Sequence, residues 1–433
     1  MFRLALILFG ADALIKRWKV FFFAGLLTVG AAAMLLVDLV DGVANVTTWV
    51  LGLFLLLQGL SEIAVGASHT GSRRRFEMLR GAAMVALASL VLDFPWDNAL
   101  TAGVIFAAAF LFNGVLRIAS SLLVRYPRWR VSNLIGWGYL VMALLLVTEW
   151  PLRPEMNVPF CLGLALLGAG YVLVRGAWHL RRLPRGSRLA AVEIYHRRRV
   201  TAAASPAAAQ LPPVTGHASA MVVHVWTAAG LADERIRMPL IDRYIFAMSR
   251  KGSVTTGHVA LSCGDDLYIS HHPRVRLNIT QQNVMGQVRA SSNNDHPGMW
   301  LPSYAQEADS TRPATFNIRF RVFSQPHLQD FWAQYSKDDT YNLTSRNCSV
   351  AVTEAIDAAV EGVFADKPFW RTLLRLAVHP DMWLAGSVRV RAESIAWTPG
   401  LALDYAGALR RITHPRHDLK MHLARWWKAR RRH

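Results

Sequence analysis

Cysteine, acidic side chains and glycine-rich phosphate loops are all scarce in this sequence. The three cysteines stand far apart, at Cys161, Cys263 and Cys348. An odd, scattered set excludes the disulfide framework of a small secreted domain and is typical of a reducing compartment. Because no glycine-rich phosphate loop occurs, nucleotide binding lacks its usual sequence signature, and we expect no cofactor.

A cleavable signal peptide is also missing. The first apolar run, Leu4 to Ile15, is short and contains Asp12. No cleavage site precedes Lys16-Arg17, so the sequence indicates no secretory leader.

Acidic residues are far outnumbered by basic ones. The chain has 48 Lys and Arg against 29 Asp and Glu, a formal net charge of +19. Nucleic acid is one partner that such a charge attracts, but no aromatic-basic recognition motif accompanies it, so we expect no nucleic acid. On a membrane protein the same excess lies on cytoplasmic loops and faces anionic lipid.

Long apolar runs fill the first 180 residues. Six of them reach or nearly reach the length of a bilayer span, near 20–38, 48–67, 79–95, 99–121, 132–149 and 157–176. Basic and acidic connections alternate between the runs, which by the positive-inside rule places both termini in the cytoplasm. The sequence therefore predicts an N-terminal all-α bundle of six transmembrane helices. Glu62 lies near the cytoplasmic end of the second run, where we expect a snorkelling or helix–helix role rather than a proton pathway.

Glycines repeat through this half with a period of 55 or 56 residues. They are Gly25, Gly81 and Gly136 in the odd-numbered runs, and Gly59, Gly114 and Gly170 in the even-numbered runs. The period predicts one helical hairpin used three times. This triple-hairpin pattern, over roughly residues 8–180, resembles the bacterial inner-membrane proteins of the HdeD acid-resistance type. The resemblance implies a multi-pass protein of the bacterial inner membrane with a role in stress tolerance.

Composition divides the chain into five parts. They are a cytoplasmic N-terminal segment (1–19), the membrane domain (20–180), a basic and then Ala/Pro-rich linker (181–216), a soluble domain (217–365) and a basic, Trp-rich C-terminal segment (366–433). The linker and the tail, which ends in HLARWWKARRRH, are expected to bind the anionic surface of the bilayer.

The soluble domain has strand signals followed by helix signals, which predicts an α+β fold with a small antiparallel sheet. HVALSC (258–263) and LYISHH (267–272) flank the turn residues Gly264–Asp266, a hairpin signature. With this three-residue loop, residues of the two strands pair so that their numbers sum to 530. One face of the hairpin is then apolar, and on the other face His258 pairs with His272. A two-residue loop would pair His258 with His271 and break the apolar face, so we favour His272.

Cys348 lies where a polar stretch gives way to a helical pattern, directly after Asn347. Asn is a favoured N-cap residue, and the amides and dipole of a helix start lower the pKa of a thiol. A cysteine at this position also occurs simply as a small buried residue. Nucleophilic use of the thiol requires a base close by, usually histidine.

The motifs GHVALSCGDDLYIS and RNCSVAV resemble circularly permuted papain-like enzymes, over roughly residues 220–362. These include the lecithin:retinol acyltransferase family and permuted relatives of the NlpC-type cell-wall peptidases. The resemblance implies a papain-like thiol hydrolase domain in which Cys348 is the nucleophile and His258 the base. The family's third polar position falls on Ser270, so the orienting residue stays open between a Cys-His dyad, His272 and the alternative His271.

The combined prediction is a membrane-anchored cysteine hydrolase that cleaves or transfers an acyl group at an amide or isopeptide bond. A lipid acyl hydrolase or acyltransferase is one alternative, and a non-enzymatic stress protein whose soluble domain binds a partner is the other. The substrate and the oligomeric state are left open. We expect no metal, because the spacing of His258, His271, His272 and His296 matches no ligand pattern.

Overall fold

The computed structural model describes most of the chain. The described residues are 2–41, 45–67, 72–92, 99–126, 129–150, 153, 156–184, 220–228, 247–248, 254–255, 257–275, 277, 284–394 and 396–414. The Ala/Pro-rich linker and the basic tail, for which lipid binding is expected, lie outside these ranges.

The chain divides into two compact units. One contains Arg17–Ala119 and Arg130–Leu183, and the other contains Met1–Lys16, Ser120–Trp129 and Pro184–His433. The second unit therefore combines the N-terminal segment, a short stretch from the middle of the apolar half and the whole C-terminal half.

Six long helices make up the first unit and its connections. They are α3 (Trp18–Asp41), α4 (Asn45–Ala67), α5 (Ser72–Leu92), α6 (Ala99–Val124), α7 (Trp129–Thr148) and α8 (Asn157–Arg182). Among the described residues, four stretches are long and apolar enough to span a bilayer, namely Trp18–Val37, Gly103–Val124, Trp129–Thr148 and Pro159–Arg182. The apolar stretches Gly52–Ile63 and Met78–Leu92 are shorter. These four helices indicate a membrane protein.

The repeat glycines meet in pairs where helix backbones touch. The pairs are Gly59 with Gly81, Gly114 with Gly136, and Gly170 with Gly25. A Cβ atom on Gly59 would lie 2.9 Å from the carbonyl oxygen of Gly81, and one on Gly170 would lie 3.0 Å from that of Gly25. Small residues allow this approach, as in other membrane helix pairs. The contacts join each even-numbered helix to the next odd-numbered one, and the last helix to the first, rather than the two helices of one predicted hairpin.

Glu62 also lies at a helix–helix contact. Its Oε1 atom is 3.2 Å from Nη2 of Arg80, so the ion pair connects α4 to α5. This agrees with the helix–helix role expected from the sequence, since a buried carboxylate in an apolar unit needs a cationic partner.

The second unit contains short antiparallel sheets. Its strands are β1 (Met221–Trp226), β2 (Ala247–Met248), β3 (Val254–Thr255), β4 (His258–Cys263), β5 (Leu267–Ile269), β6 (His271–Pro273), β7 (His296–Trp300), β8 (Phe316–Phe320) and β9 (Thr340–Tyr341). They pair in the orders β5-β4-β1-β8, β6-β7-β9 and β2-β3. The central strands β1 and β4 are buried because side chains on both faces are covered.

Helices surround these sheets. They are α9 (Val284–Gln287), α10 (Tyr304–Ser310), α11 (Gln325–Tyr335), α12 (Cys348–Val360), α13 (Phe369–Ala377), α14 (Pro380–Ser394) and α15 (Pro399–Thr413). Helix α12 contacts β4, α11 and α15 and is buried along almost its whole length. Asp357 of α12 pairs with Arg389 of α14 and accepts a hydrogen bond from Tyr405 of α15. These buried polar contacts make α14 and α15 part of the same packed unit, although composition assigned them to a separate C-terminal segment.

The N-terminal segment is folded into this unit. It forms α1 (Phe2–Phe9) and α2 (Ala11–Ile15), and α1 contacts α12 and α14. The carbonyl oxygens of Ile7 and Leu8 accept hydrogen bonds of 2.9 Å from the amides of Gly362 and Phe364. The first apolar run of the sequence, Leu4 to Ile15, therefore packs as part of the C-terminal unit.

Candidate thiol-imidazole site

The position of His258 is set by the glycine before it. Gly257 has φ +75°, and a Cβ atom on it would lie 2.6 Å from the carbonyl oxygen of Trp226. Only glycine tolerates both the left-handed backbone and this close approach. The turn starts β4 at His258, which is the register partner of Trp226 on the central strand β1.

The predicted hairpin register is confirmed for the residues that pair. Strand β4 pairs with β5 through Leu261–Ile269, Ser262–Tyr268 and Cys263–Leu267, each with residue numbers that sum to 530. The ladder ends at Ile269, and the next two residues leave for the other sheet, where His271 pairs with Trp300. His272 therefore lies beyond the ladder, yet its ring stacks on that of His258 with centroids 4.0 Å apart.

Cys348 is the first residue of α12, and Asn347 is its N-cap. The Asn347 side chain accepts a 2.9 Å hydrogen bond from the amide of Val350 and donates bonds of 2.7 and 2.9 Å to the carbonyls of Leu343 and Trp397. These three bonds fix the start of the helix and hence the position of the sulfur atom. Cys348 is 6% exposed.

The structure brings Cys348 and His258 together. The imidazole of His258 and the backbone of Val259 both act on the sulfur atom. Burial alone would raise the pKa of the Cys348 thiol, but the charge of His258 and the polar groups around the sulfur lower it below its ordinary value. The arrangement stabilises a thiolate beside an imidazolium.

A buried carboxylate lies on the opposite side of the His258 ring. Glu307 of α10 has Oε1 3.1 Å from His258 Nε2 and 2.9 Å from His272 Nε2. Its Oε2 atom accepts hydrogen bonds from Tyr268 at 2.6 Å and from Ser270 at 2.7 Å. Four donors thus fill the four lone-pair positions of an ionised carboxylate.

This network determines which nitrogen of His258 carries the proton. Nε2 lies 2.9 Å from Ser270 Oγ as well as 3.1 Å from Glu307 Oε1. The carboxylate can only accept, and the Ser270 hydroxyl already gives its proton to Glu307, so Nε2 must be the donor. In the neutral ring Nδ1 is then the acceptor, so it is the nitrogen that can take a proton from the Cys348 thiol.

Opposite charges shift the pKa values of these groups. Burial would lower the pKa of His258, but the Cys348 thiolate and Glu307 raise it to about 10. Burial would raise the pKa of Glu307, but the hydrogen bonds from His258 and His272 hold it well below its usual range. Burial and the charge of His258 lower the pKa of His272, against the opposing effect of Glu307.

His271, the alternative third residue, makes different contacts. Its Nε2 atom is 3.2 Å from the carbonyl oxygen of Asp339, and its ring stacks on Trp300 with centroids 4.0 Å apart. Burial lowers its pKa to about 4. Of the four residues named from the sequence, the structure therefore groups Cys348, His258 and His272. His271 lies in the same strand, β6, as His272, but its side chain packs on Trp300 instead.

Sequence reasoning missed Glu307. The residue lies in α10, whose N-cap Ser303 accepts a 3.3 Å bond from the Gln306 amide, and Tyr304 of the same helix stacks on the buried ring of His224 at 4.1 Å. The available signal was indirect. Ser270, twelve residues after His258, cannot orient a cationic ring as a carboxylate does, which indicates an additional acidic partner for His258.

The same cluster has the composition of a metal site. His258, His272 and Glu307 each offer one ligand atom, and these atoms lie within 4.8 Å of one another. Two histidines and a carboxylate suit zinc. Coordination at His258 Nε2 and His272 Nε2 would remove the protons that these atoms now donate to Glu307. The hydrogen-bonded arrangement uses every group in the cluster.

The resemblances noted in the sequence rest on the residues alone. No protein-family model matches the chain, and no curated protein and no solved structure matches it either.

Proposed function

We propose that this protein is a membrane-anchored cysteine hydrolase or acyltransferase that acts through Cys348 and His258. One observation carries the proposal: the Cys348 thiol at a helix start has its pKa lowered by the imidazole of His258, and Glu307 binds the Nε2 atom of that imidazole. A nucleophile, a base and a group that orients the base are the parts that covalent catalysis requires. A core cysteine that only packs needs none of them.

The reaction starts with transfer of the Cys348 proton to Nδ1 of His258. The thiolate attacks the carbonyl carbon of an amide or ester and forms a tetrahedral oxyanion. The amides of Val350 and Ala351 are bonded to Asn347, so the preceding amides of Cys348 and Ser349 are the donors placed to stabilise the oxyanion. Collapse breaks the bond to the leaving group, which takes the proton from His258. Water or another acceptor then releases the acyl group from sulfur.

Glu307 takes the orienting role in this mechanism. It keeps the Nε2–H tautomer of His258 and stabilises the imidazolium that forms when Cys348 ionises. Ser270, at the family's third position, connects the two groups. His272 lies on the face of the His258 ring and supports the carboxylate rather than the thiol.

The topology also supports a membrane location for the site. Met1–Lys16, Ser120–Trp129 and Pro184–His433 form one compact unit, and Val124 accepts a 2.8 Å hydrogen bond from Ala290 within it. The chain leaves this unit twice, for Arg17–Ala119 and for Arg130–Leu183, and returns to it both times. Each of these two excursions therefore crosses the bilayer an even number of times. Four long helices lie in the first excursion and two in the second, which fits six crossings. The basic connections support a cytoplasmic position for the unit.

Labelling with a small thiol probe tests the enzyme proposal. An iodoacetamide-alkyne should label Cys348 in the full-length protein, and Cys348→Ala and His258→Ala should abolish the label. Cys263→Ala is the matched control, because Cys263 is equally buried at 4% exposure but has no part in the proposed mechanism. Label on Cys263 instead of Cys348 would refute the proposal and leave the soluble domain as a binding module.

A second experiment separates the substrate classes. The purified protein is mixed with peptide nitroanilides and with nitrophenyl esters of increasing acyl length, and intact mass records the acyl-enzyme. An adduct on Cys348 from peptides indicates amide cleavage, and one that grows with ester chain length indicates lipid acyl transfer. Both adducts should vanish in Cys348→Ala.

A further inference from the structure

Helix α13 has apolar side chains on two opposite sides. Phe369 and Leu376 face the core and are 6% and 3% exposed. Trp370, Leu374 and Val378 are spaced four residues apart, from the start of the helix to its C-cap, and are 53%, 69% and 64% exposed. Residues four apart share one face of a helix, so these three form a continuous apolar stripe on the surface.

Helix α14 extends this stripe. Trp383 is 41% exposed and Val390 is 62% exposed. The indole nitrogen of Trp383 donates a 2.7 Å hydrogen bond to the carbonyl oxygen of Ala377, which fixes the start of α14 against the end of α13. Neighbouring exposed apolar side chains on a folded unit mark interaction sites, and tryptophan with one polar contact is typical of the membrane interface.

The edges of the stripe are basic. Lys367, Arg371 and Arg375 are exposed, and each of the two arginines directly follows a residue of the stripe. Asp366 is the exposed acidic residue beside them. An apolar stripe with cationic edges matches a surface that is apolar below and anionic above, as a phospholipid leaflet is.

A short stretch of chain connects the residues that pack beside α13 to the first apolar helix. The ring of Phe369 contacts that of Phe9 at a centroid distance of 4.7 Å. The nine residues from Phe9 to Trp18, where the first apolar helix begins, span at most about 32 Å even when fully extended. Helix α2 lies in this segment and shortens the reach further.

We propose that α13 and the exposed side of α14 lie in the headgroup region of the membrane and bind anionic phospholipid. Trp370, Leu374 and Val378 enter the leaflet, and Arg371 and Arg375 contact phosphate groups. The bilayer then contacts the C-terminal unit directly, in addition to the linker and the tail. The proposal does not depend on the chemistry of Cys348.

Spin labelling of the full-length protein in vesicles tests this surface. Leu374→Cys is labelled with a nitroxide in a Cys348→Ala background, where the two remaining native cysteines are buried. In phosphatidylglycerol vesicles the label should collide more with oxygen than with a water-soluble nickel chelate, as expected at a depth of about 5–10 Å. Val275→Cys is the matched control, because Val275 is apolar and 75% exposed but lies after β6. That label should collide more with the chelate.

Two further arms separate the lipid from other occupants. Arg371→Gln with Arg375→Gln should reduce the depth of the Leu374→Cys label, and so should pure phosphatidylcholine vesicles. A label at 374 as accessible to the chelate as the control overturns the proposal. A label shielded from both reagents means that protein covers the stripe, and regained access after removal of residues 415–433 identifies that protein as the tail. Equal depth in both lipids overturns the anionic preference.

Discussion

Glu307→Gln is the sharpest test of the orienting role, because it removes one charge and preserves the shape of the side chain. The carboxylate approaches His258 Nε2 at 3.1 Å. With charge centres about 4 Å apart and an effective dielectric constant near 20, the attraction is about 4 kcal/mol, or about 3 pKa units. The amide oxygen of Gln still accepts a hydrogen bond, so we expect the pKa of His258 to fall by about 1–3 units.

The direction of the effect on the active pair follows from these charges. The thiolate–imidazolium pair exists above the pKa of Cys348, which is lowered, and below that of His258, which is about 10. When the imidazolium is stabilised less, the upper limit of this pH range falls. The midpoint of the alkaline step should therefore move from about 10 toward neutral pH.

The measurement is the rate of Cys348 alkylation by iodoacetamide as a function of pH, followed by intact mass. Asp309→Asn is the control, since it makes the same change of charge on an exposed residue of the same helix. A shift of less than about half a pKa unit in Glu307→Gln, or an equal shift in Asp309→Asn, would contradict the orienting role.

Two other substitutions test the packing that holds the site. Asn347→Ala removes a helix cap and two donated hydrogen bonds, so we expect a loss of about 2–3 kcal/mol in unfolding free energy and slower Cys348 alkylation. An unchanged alkylation rate would mean that the cap does not position the sulfur. Phe9→Ala leaves a cavity beside Phe364 and Phe369 and should cost about 3–5 kcal/mol, seen as earlier proteolysis of the C-terminal unit on heating. Unchanged resistance to proteolysis would show that α1 does not stabilise this unit.

The parts of the site that the sequence predicts are those that depend on local rules. Alternation along β4 and β5 fixes which residues share a face, and the three-residue loop fixes the register. Asn347 marks the start of the helix that carries Cys348, because it satisfies an amide that no helix residue can reach. These rules act over fewer than about ten residues, so a single sequence contains all the information that they need.

The approach of Glu307 to His258 and the packing of α1 depend on contacts that no local rule describes. The carboxylate reaches His258 from 49 positions further along the chain, and α1 packs on α12 from the other end of the protein. The packing order of the membrane helices also depends on contacts between residues that are far apart in the sequence. The glycine period predicts a threefold repeat, but only the coordinates show that Gly170 of the last helix meets Gly25 of the first. In each case the partner is selected by the three-dimensional path of the chain.

The path also means that the thiol site is not a separable module. Helix α1 contacts α12, the helix that begins with Cys348, and the side chains of Leu4, Leu6, Ile7, Leu8 and Phe9 are at most 2% exposed. Burying five such side chains contributes about 7–15 kcal/mol, comparable to the whole net stability of a typical domain. A fragment that begins at the linker lacks this helix and exposes the surface that it covers. The membrane helices are thus inserted in two groups between three pieces of one folded unit, and the site depends on a segment that precedes the first of them.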